Sequence, residues 1–256
     1  MEIEILGAHN AESRDTRLVC ILIDGVLVLD AGGLTSGLSL SAQQTLKAIL
    51  LSHHHYDHVR DVAMLGLNTM EMGTIEVWAP GEVLQVLVSH FMDGVVYPRL
   101  AERPTPERPS LRLCPLEPLE PLTIQGYRVL AMPVKHAVPT VGYLVASAEG
   151  RGLFYTGDTG PGLAECWQQV SPEVLITEVT LSDRFERAAL TTGHLTPRLL
   201  KGELVEFRKL RGYLPRVILV HMSPYVEAEI GEEVGRVAGE LGADIALGHE
   251  GMRVTI

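Results

Sequence analysis

The segment LSHHHYDHVR, residues 51–60, packs four histidines and an aspartate into six consecutive positions, directly after the apolar run LKAILL. Imidazole and carboxylate are ordinary ligands of zinc, manganese and iron. His53, His55 and Asp57 recur at two-residue steps, so on an extended backbone they share one side while His54 and Tyr56 point away. His58 then opens a helix. This spacing supplies two imidazoles to one cation and an aspartate plus a histidine to a neighbouring one. The cluster is internal and interrupted by Tyr-Asp, unlike an expression tag.

A pair of cations needs further ligands, and three residues at the ends of apolar runs qualify. They are His136 in PVKHAVPTVGYL, Asp158 in LFYTGDTG and His221 in VILVHMSP. The small neighbours of Asp158 let its carboxylate approach an ion. His194 in TTGHLTP and Glu178 at the end of PEVLITEV also have chemistry to offer. His9, His54, His90 and His249 are read as lying outside the site, with His249 in a turn near the last strand. Tyr56 either flanks the substrate pocket or packs on the helix behind it.

Those residues need a frame. The N-terminal MEIEILGAHN alternates as a strand, and RLVCILIDGVLVLDAGG reads as a hairpin turning at Asp24-Gly25 and ending at Asp30 and a glycine pair. TLKAILLS is a short buried strand, followed by a helix in DHVRDVAMLGLNTM with Asp57 as its N-cap. TIEVWAP is a strand and GEVLQVLVSHFM a helix. From Tyr97 to Pro121 repeated prolines (RPTPERP, PLEPLEPL) predict an extended surface connection between two halves of a single domain spanning 1–256. The second half opens with three strand-like runs, YRVLAMPVKH, TVGYLVAS and RGLFYTGD. PEVLITEV, a helix in TPRLLKGELVEFRKLRG with Pro197 in its first turn, the strand RVILVH and a helix in VEAEIGEEVGRVAGEL follow. ADIALGHEGMRVTI reads as a closing pair of strands. Strands first, then strand–helix alternation, imply mixed sheets with helices outside.

Composition narrows the class. In 256 residues, 46% hydrophobic and 21% charged is a globular balance. No apolar span approaches roughly 20 residues, so no membrane helix is expected, and the N-terminus lacks the layout of a signal peptide. Cys20, Cys114 and Cys166 are read as reduced thiols of a cytoplasmic protein. A formal charge of −11, with no basic arm or stripe, disfavours nucleic acid as a partner. The apolar VLQVLVSHFM helix and the proline stretch offer a surface for a homodimer.

His53-x-His55-x-Asp57-His58, followed by His136, Asp158 in GDTG and His221, resembles the metallo-β-lactamase superfamily across essentially the whole chain. The resemblance implies an α/β fold, a four-layer αββα sandwich of two mixed sheets with helices on the outer faces. It also implies a dinuclear site, with zinc foremost and manganese or iron as alternatives. His53, His55 and His136 would hold one metal, Asp57, His58 and His221 the other, and Asp158 would bridge them. LTTGHLTPRLLKGEL, then VILVHMSPY, resembles class II cyclic-nucleotide phosphodiesterases, as do SHFMDGVVYPRL and LDAGGLTSGLSL. Tyr56, where that group usually has leucine, and the HMSP segment depart from its pattern. LITEVTLSDRFERAALTTGHLT is also similar to ribonuclease Z, mapping Glu178 and His194 onto its catalytic glutamate and histidine, but no tRNA-gripping arm is present. The implied activity is hydrolysis of a small phosphodiester by metal-activated hydroxide, with a cyclic nucleotide as first substrate. Asp57 takes the water proton, His194 serves the phosphoryl or leaving oxygen, and Glu178 orients His194. Ribonuclease Z-like tRNA 3′ processing, and carboxyl-ester, thioester or lactam hydrolysis, are the alternatives on this fold.

Overall fold

The computed structural model describes all 256 residues. The first half contributes β1 (Glu2–Gly7), β2 (Cys20–Ile23), β3 (Leu27–Leu29), α1 (Leu34–Gly37), α2 (Leu40–Gln43), β4 (Ala48–Leu50), α3 (Tyr56–Asn68), β5 (Ile75–Ala79) and α4 (Gly81–Val86). Strands β6 (Pro104–Thr105), β7 (Arg108–Pro109) and β8 (Leu111–Pro115) follow. The second half contributes β9 (Leu122–Ile124), β10 (Tyr127–Val134), β11 (Thr140–Ala146), β12 (Gly152–Tyr155), α5 (Ala164–Gln169), β13 (Val174–Glu178), α6 (Glu186–Thr192), α7 (Pro197–Arg211), β14 (Arg216–Val220), α8 (Glu227–Leu241), β15 (Ile245–Leu247) and β16 (Met252–Thr255).

Two seven-stranded mixed sheets result, ordered β16-β1-β2-β3-β4-β5-β8 and β15-β14-β13-β12-β11-β10-β9. Their apolar strands are buried on both faces, and residue parity shows how. Ile21 and Ile23, Leu27 and Leu29, and Ala48 and Leu50 point into the core between the sheets, where they meet Tyr143, Tyr155, Ile176, Ile218 and Val220. Their neighbours Cys20, Leu22, Val28 and Ile49 face Val59, Val62 and Leu65 of α3 on one outer side. Leu175, Val217 and Leu219 face Trp167, Leu200, Leu204, Phe207 and Ile230 of α5, α7 and α8 on the other. The period of two along each strand therefore builds three apolar layers and the four-layer αββα sandwich. No helix is long and apolar enough to cross a membrane.

The predicted hairpin turns at Asp24 and Gly25, both with positive φ (+47° and +70°), as a primed turn requires. Four expectations are corrected. Tyr97–Pro121 is not merely a connection: β6 and β7 form a small ribbon, and β8 adds to the first sheet parallel to β5. Proline is tolerated there because β8 is an edge strand, with one side free of ladder bonds. Asp57 does not cap α3; His55 holds the cap position with an extended backbone, and Asp57 sits inside the first turn. GEVLQVLVSHFM is α-helical only as far as Val86, after which the helix continues over Leu87–Phe91 in the wider π form. The closing strands do not pair. β15 edges the second sheet and β16 the first, and the turn between them carries the chain across. Gly248 donates to Leu219 of β14, while Gly251 donates to Ile5 of β1.

That crossing turn is tied down by one acid. Glu250 accepts from the buried His9 at 2.8 Å and from the Arg17 amide at 2.7 Å. Burial pulls the His9 pKa down, but Glu250 and Glu227 outweigh it and raise it above 6.5. Burial acts against the Glu250 carboxylate, yet His9 and the Arg17 amide lower its pKa from 4.5 to about 2. Because the His9 value is raised, its contribution is complete below 6.5 and is lost as pH rises through the folded value. Because the Glu250 value is depressed, its contribution is present above 4.5 and is lost as pH falls toward about 2. Glu250→Gln should therefore lower unfolding free energy by about 1–2 kcal/mol near pH 5–6. Denaturant titrations across pH should show the gap between the two proteins narrowing above neutrality; a gap that widens there contradicts the pairing.

Candidate metal centre

The strand ends converge at one edge of the paired sheets. His53 and His55 follow β4, Asp57 and His58 open α3, His136 and Asp158 follow β10 and β12, and His221 follows β14. Asp158 sits among them: its Oδ2 is 3.8 Å from His53 Nε2 and from His136 Nε2 and 3.3 Å from His221 Nε2, while Oδ1 is 3.3 Å from His58 Nε2. His55 Nδ1 lies 3.2 Å from His136 Nε2. Asp57 Oδ2 lies 3.2 Å from His221 Nε2 and 3.8 Å from His58 Nε2. Three sets of ligand-type atoms emerge, His53–His55–His136–Asp158, Asp57–His58–His221 and Asp158–His194–His221, so Asp158 and His221 are each common to two of them.

The outer nitrogens explain why the inner ones converge. His58 Nδ1 donates to Asp30 at 2.7 Å, and His136 Nδ1 donates to the Gly193 carbonyl at 2.9 Å. Ser52 donates its hydroxyl to Asp30 and so receives the Nδ1 proton of His53, at 2.9 Å. Thr180 likewise donates to Glu178 and receives the Nδ1 proton of His221, at 2.8 Å. In each case a fixed Nδ1–H leaves the Nε2 lone pair facing inward, the orientation that a ligating imidazole needs. His55 alone turns Nδ1 inward.

Asp30 is the residue that sequence reasoning passed over as a bend. It is fully buried and accepts from the Ser52 amide and hydroxyl, His58 and Tyr155, each at 2.7 Å. Its backbone is left-handed (φ +53°), as is that of His221 (φ +60°). Such conformations cost about 1–3 kcal/mol each and persist where the surroundings overdetermine them. An acid closing a buried apolar strand was the available signal. Thr180 gave none.

The site fits divalent cations. Nε2 of His53, Nε2 of His58 and Oδ1 of Asp158 are buried without any hydrogen bond. The His58 and Asp158 atoms lie within 3.3 Å but miss hydrogen-bond angles, so both face shared space instead of each other. Uncompensated buried polar atoms are costly, and a cation among them removes the cost. The electrostatics agree. Burial opposes ionisation of Asp158, yet His221 and His58 hold its pKa well below the usual range. Burial also acts against Asp57, but the His221 hydrogen bond together with the charges of His58 and His221 outweighs it and lowers the pKa to about 2. Burial drives the His53 value well down.

His194 and Glu178 form a neighbouring unit. Glu178 is fully buried, far from the solvated strand-end glutamate its sequence position would suggest. One oxygen accepts His194 Nδ1 at 2.7 Å and the Thr159 amide at 2.9 Å; the other accepts from Thr180 and Leu195. The His194 ring stacks on His221 at 5.3 Å and meets His136 edge-on at 4.9 Å. Burial pulls its pKa down, but the Glu178 carboxylate prevails and raises it to about 9. α6, unrecognised in the sequence, delivers this residue: it ends at Gly193 in the left-handed conformation. A Cβ on Gly193 would come within 2.9 Å of His136 Cα, so glycine alone admits the contact. His90 and His249 are exposed and outside all three sets, and His9 belongs to the Glu250 strut. Cys20 and Cys166 are buried and all three cysteines are free.

Paired mixed sheets carrying a His/Asp centre on their strand ends define a metal-dependent hydrolase architecture. The beta-lactamase superfamily domain model matches residues 21–222, and the chain belongs to that family. No curated protein sequence matches it as a relative. Among solved structures it is similar to unliganded yeast PDE1 (TM-score 0.82, 19% identity, 100% of this chain and 99% of that one). It is also similar to the metallo-beta-lactamase fold protein YhfI from Bacillus subtilis (0.78, 15%, 99% and 99%). The short form of human tRNase Z is a third such structure (0.71, 20%, 100% and 99%).

Asp30→Asn should weaken divalent-metal affinity tenfold to a hundredfold, because His58 loses the charge that fixes its ring. Chelator competition on wild type and variant checks this. Unchanged affinity would mean that the Asp30 contacts serve folding alone.

Proposed function

We propose that this protein hydrolyses small phosphodiesters, with cyclic nucleotides as the first substrate class. His53, His55 and His136 would hold one divalent cation and Asp57, His58 and His221 a second, with Asp158 shared; imidazole-rich donor sets favour zinc. Such a cation pair, when bound, supplies an activated water near neutral pH and draws off charge developing on phosphoryl oxygens.

The observation that carries the reading is the Glu178–His194 unit. A hydrolytic site for neutral amides or esters does not need an extra imidazolium at its wall. A phosphodiester brings a negative charge in the ground state and more on the leaving oxygen. His194, whose pKa Glu178 raises to about 9, lies against His221 and His136, and Glu178 favours its protonated form. It donates to a phosphoryl oxygen and protonates the departing alkoxide. Glu178 keeps the ring oriented and charged. The Asp57 carboxylate, ionised at neutral pH with a pKa of about 2, receives the proton of the attacking water. At that value it is a relay and not a resting place for the proton. The sequence likeness to class II cyclic-nucleotide phosphodiesterases supports the same substrate class.

The test combines elemental analysis with a panel of cyclic AMP, bis-p-nitrophenyl phosphate, thioesters, nitrocefin and precursor tRNA. Turnover should be confined to cyclic AMP and bis-p-nitrophenyl phosphate. His194→Ala should retain both metals and lose about a hundredfold or more in kcat. Full turnover in that variant would remove the role of His194, and cleavage of precursor tRNA would move the substrate assignment to RNA processing.

A further inference from the structure

Tyr56 stands out within the histidine cluster: the residues on either side of it turn into the site, yet its own ring is 60% exposed. It lies nearly parallel to Phe91, 16° between planes and 6.0 Å between centroids. Phe91 closes the single π-helical turn Leu87–Phe91, a form that is frequent at functional sites. Together with Arg60, Met64, Val96 and Tyr97 these rings border a cleft of about 360 Å³. That volume lies within the ~300–1,000 Å³ range of small-molecule sites. The cleft is chiefly apolar, with polar groups at a few points. Arg60 is committed to Asp61 and Glu12, so the cleft presents no free cation for a second phosphate.

One wall of the cleft is α3, whose first turn carries Asp57 and His58. Arg60 and Met64 follow Asp57 by roughly one and two turns, about 5–11 Å along the axis. A molecule with its phosphate at the metal centre and a flat aromatic group a few ångströms away would span both features. Apolar walls, two near-parallel π faces and the absence of a free charge suit an uncharged heteroaromatic ring.

We propose that this cleft receives the nucleobase of the substrate, with Tyr56 and Phe91 as its stacking platform. The proposal rests on the phosphodiester reading and extends it to nucleotides whose base contributes to binding. Stacking of a base on an aromatic side chain is sequence-tolerant, so purine over pyrimidine preference follows from ring area and not from a hydrogen-bond code.

The experiment separates the cleft from the metal centre by using adenosine, which has no phosphate. Calorimetric titration of the metal-loaded protein should detect adenosine binding that Tyr56→Ala weakens about tenfold or more and Tyr56→Phe retains. In parallel, wild type should be inhibited more strongly by AMP than by ribose 5-phosphate, and Tyr56→Ala should erase that preference. Phe91→Ala provides a second variant with the same expectation. Adenosine binding that is absent, or that survives both alanine variants, overturns the cleft assignment while leaving phosphodiester hydrolysis standing. A dimer that Tyr56→Ala dissociates, with adenosine binding unchanged, overturns it in favour of a second copy of this chain. Adenosine bound through Tyr56 in a protein that turns over no phosphodiester supports the cleft and removes the hydrolytic reading.

Discussion

A carboxylate with no access to water governs the centre. Asp30 accepts hydrogen bonds from the Ser52 amide and hydroxyl, His58 and Tyr155. Buried and unpaired, such a charge would cost several kcal/mol; four donors offset that cost only if all are present together. The network joins β3, the loop after β4, the start of α3 and β12, so both sheets meet on one side chain. Loss of any donor leaves the acid undersatisfied, which couples the orientation of His53 and His58 to the packing of the two halves. Its left-handed backbone shows that the strand end is bent to serve this arrangement.

The second half repeats the device with Glu178. This acid also closes a strand, is also fully buried, and also accepts from a hydroxyl that in turn fixes a histidine. Thr180 stands to His221 as Ser52 stands to His53. The additional element is His194, bonded directly to the acid. Its charge is therefore tied to the group that orients the His221 ring, and disturbance of Glu178 affects both. His221, which like Asp30 has a left-handed backbone, lies at the corresponding bend after β14.

How much of this was legible in the sequence follows from the range of each interaction. Strands and their burial were readable because a period of two or an unbroken apolar run is a local signal. The seven ligand-type residues were readable because His/Asp spacing and strand-end positions are local as well, and family resemblance connected them. β8 was hidden because proline density argues against a strand unless its edge position is known, and that is a fact of topology. The crossing from β15 to β16 was hidden for the same reason: ALGHEGM looks like a hairpin turn until Gly248 and Gly251 find partners in different sheets. Glu178 was undervalued because its burial depends on α6 and on two separate loops, one bearing Thr159 and the other Leu195. Nothing within five residues of it announces that it is dry.

Burial is uneven around the centre, and this decides how solvent and substrate reach it. His53, His58, Asp158 and His221 are buried, which makes the floor and back wall rigid and closed. The Asp57 side chain is 30% exposed and that of His194 15%, so the opening lies between the first turn of α3 and the loop after α6. The two walls of the opening come from different halves of the chain, and each brings a group that can handle a proton. An incoming molecule therefore passes between the Asp57 carboxylate and an imidazole whose pKa Glu178 raises before it meets the buried donors. Opposite charges on facing walls polarise a ligand along the line joining them, and the low dielectric behind strengthens that field.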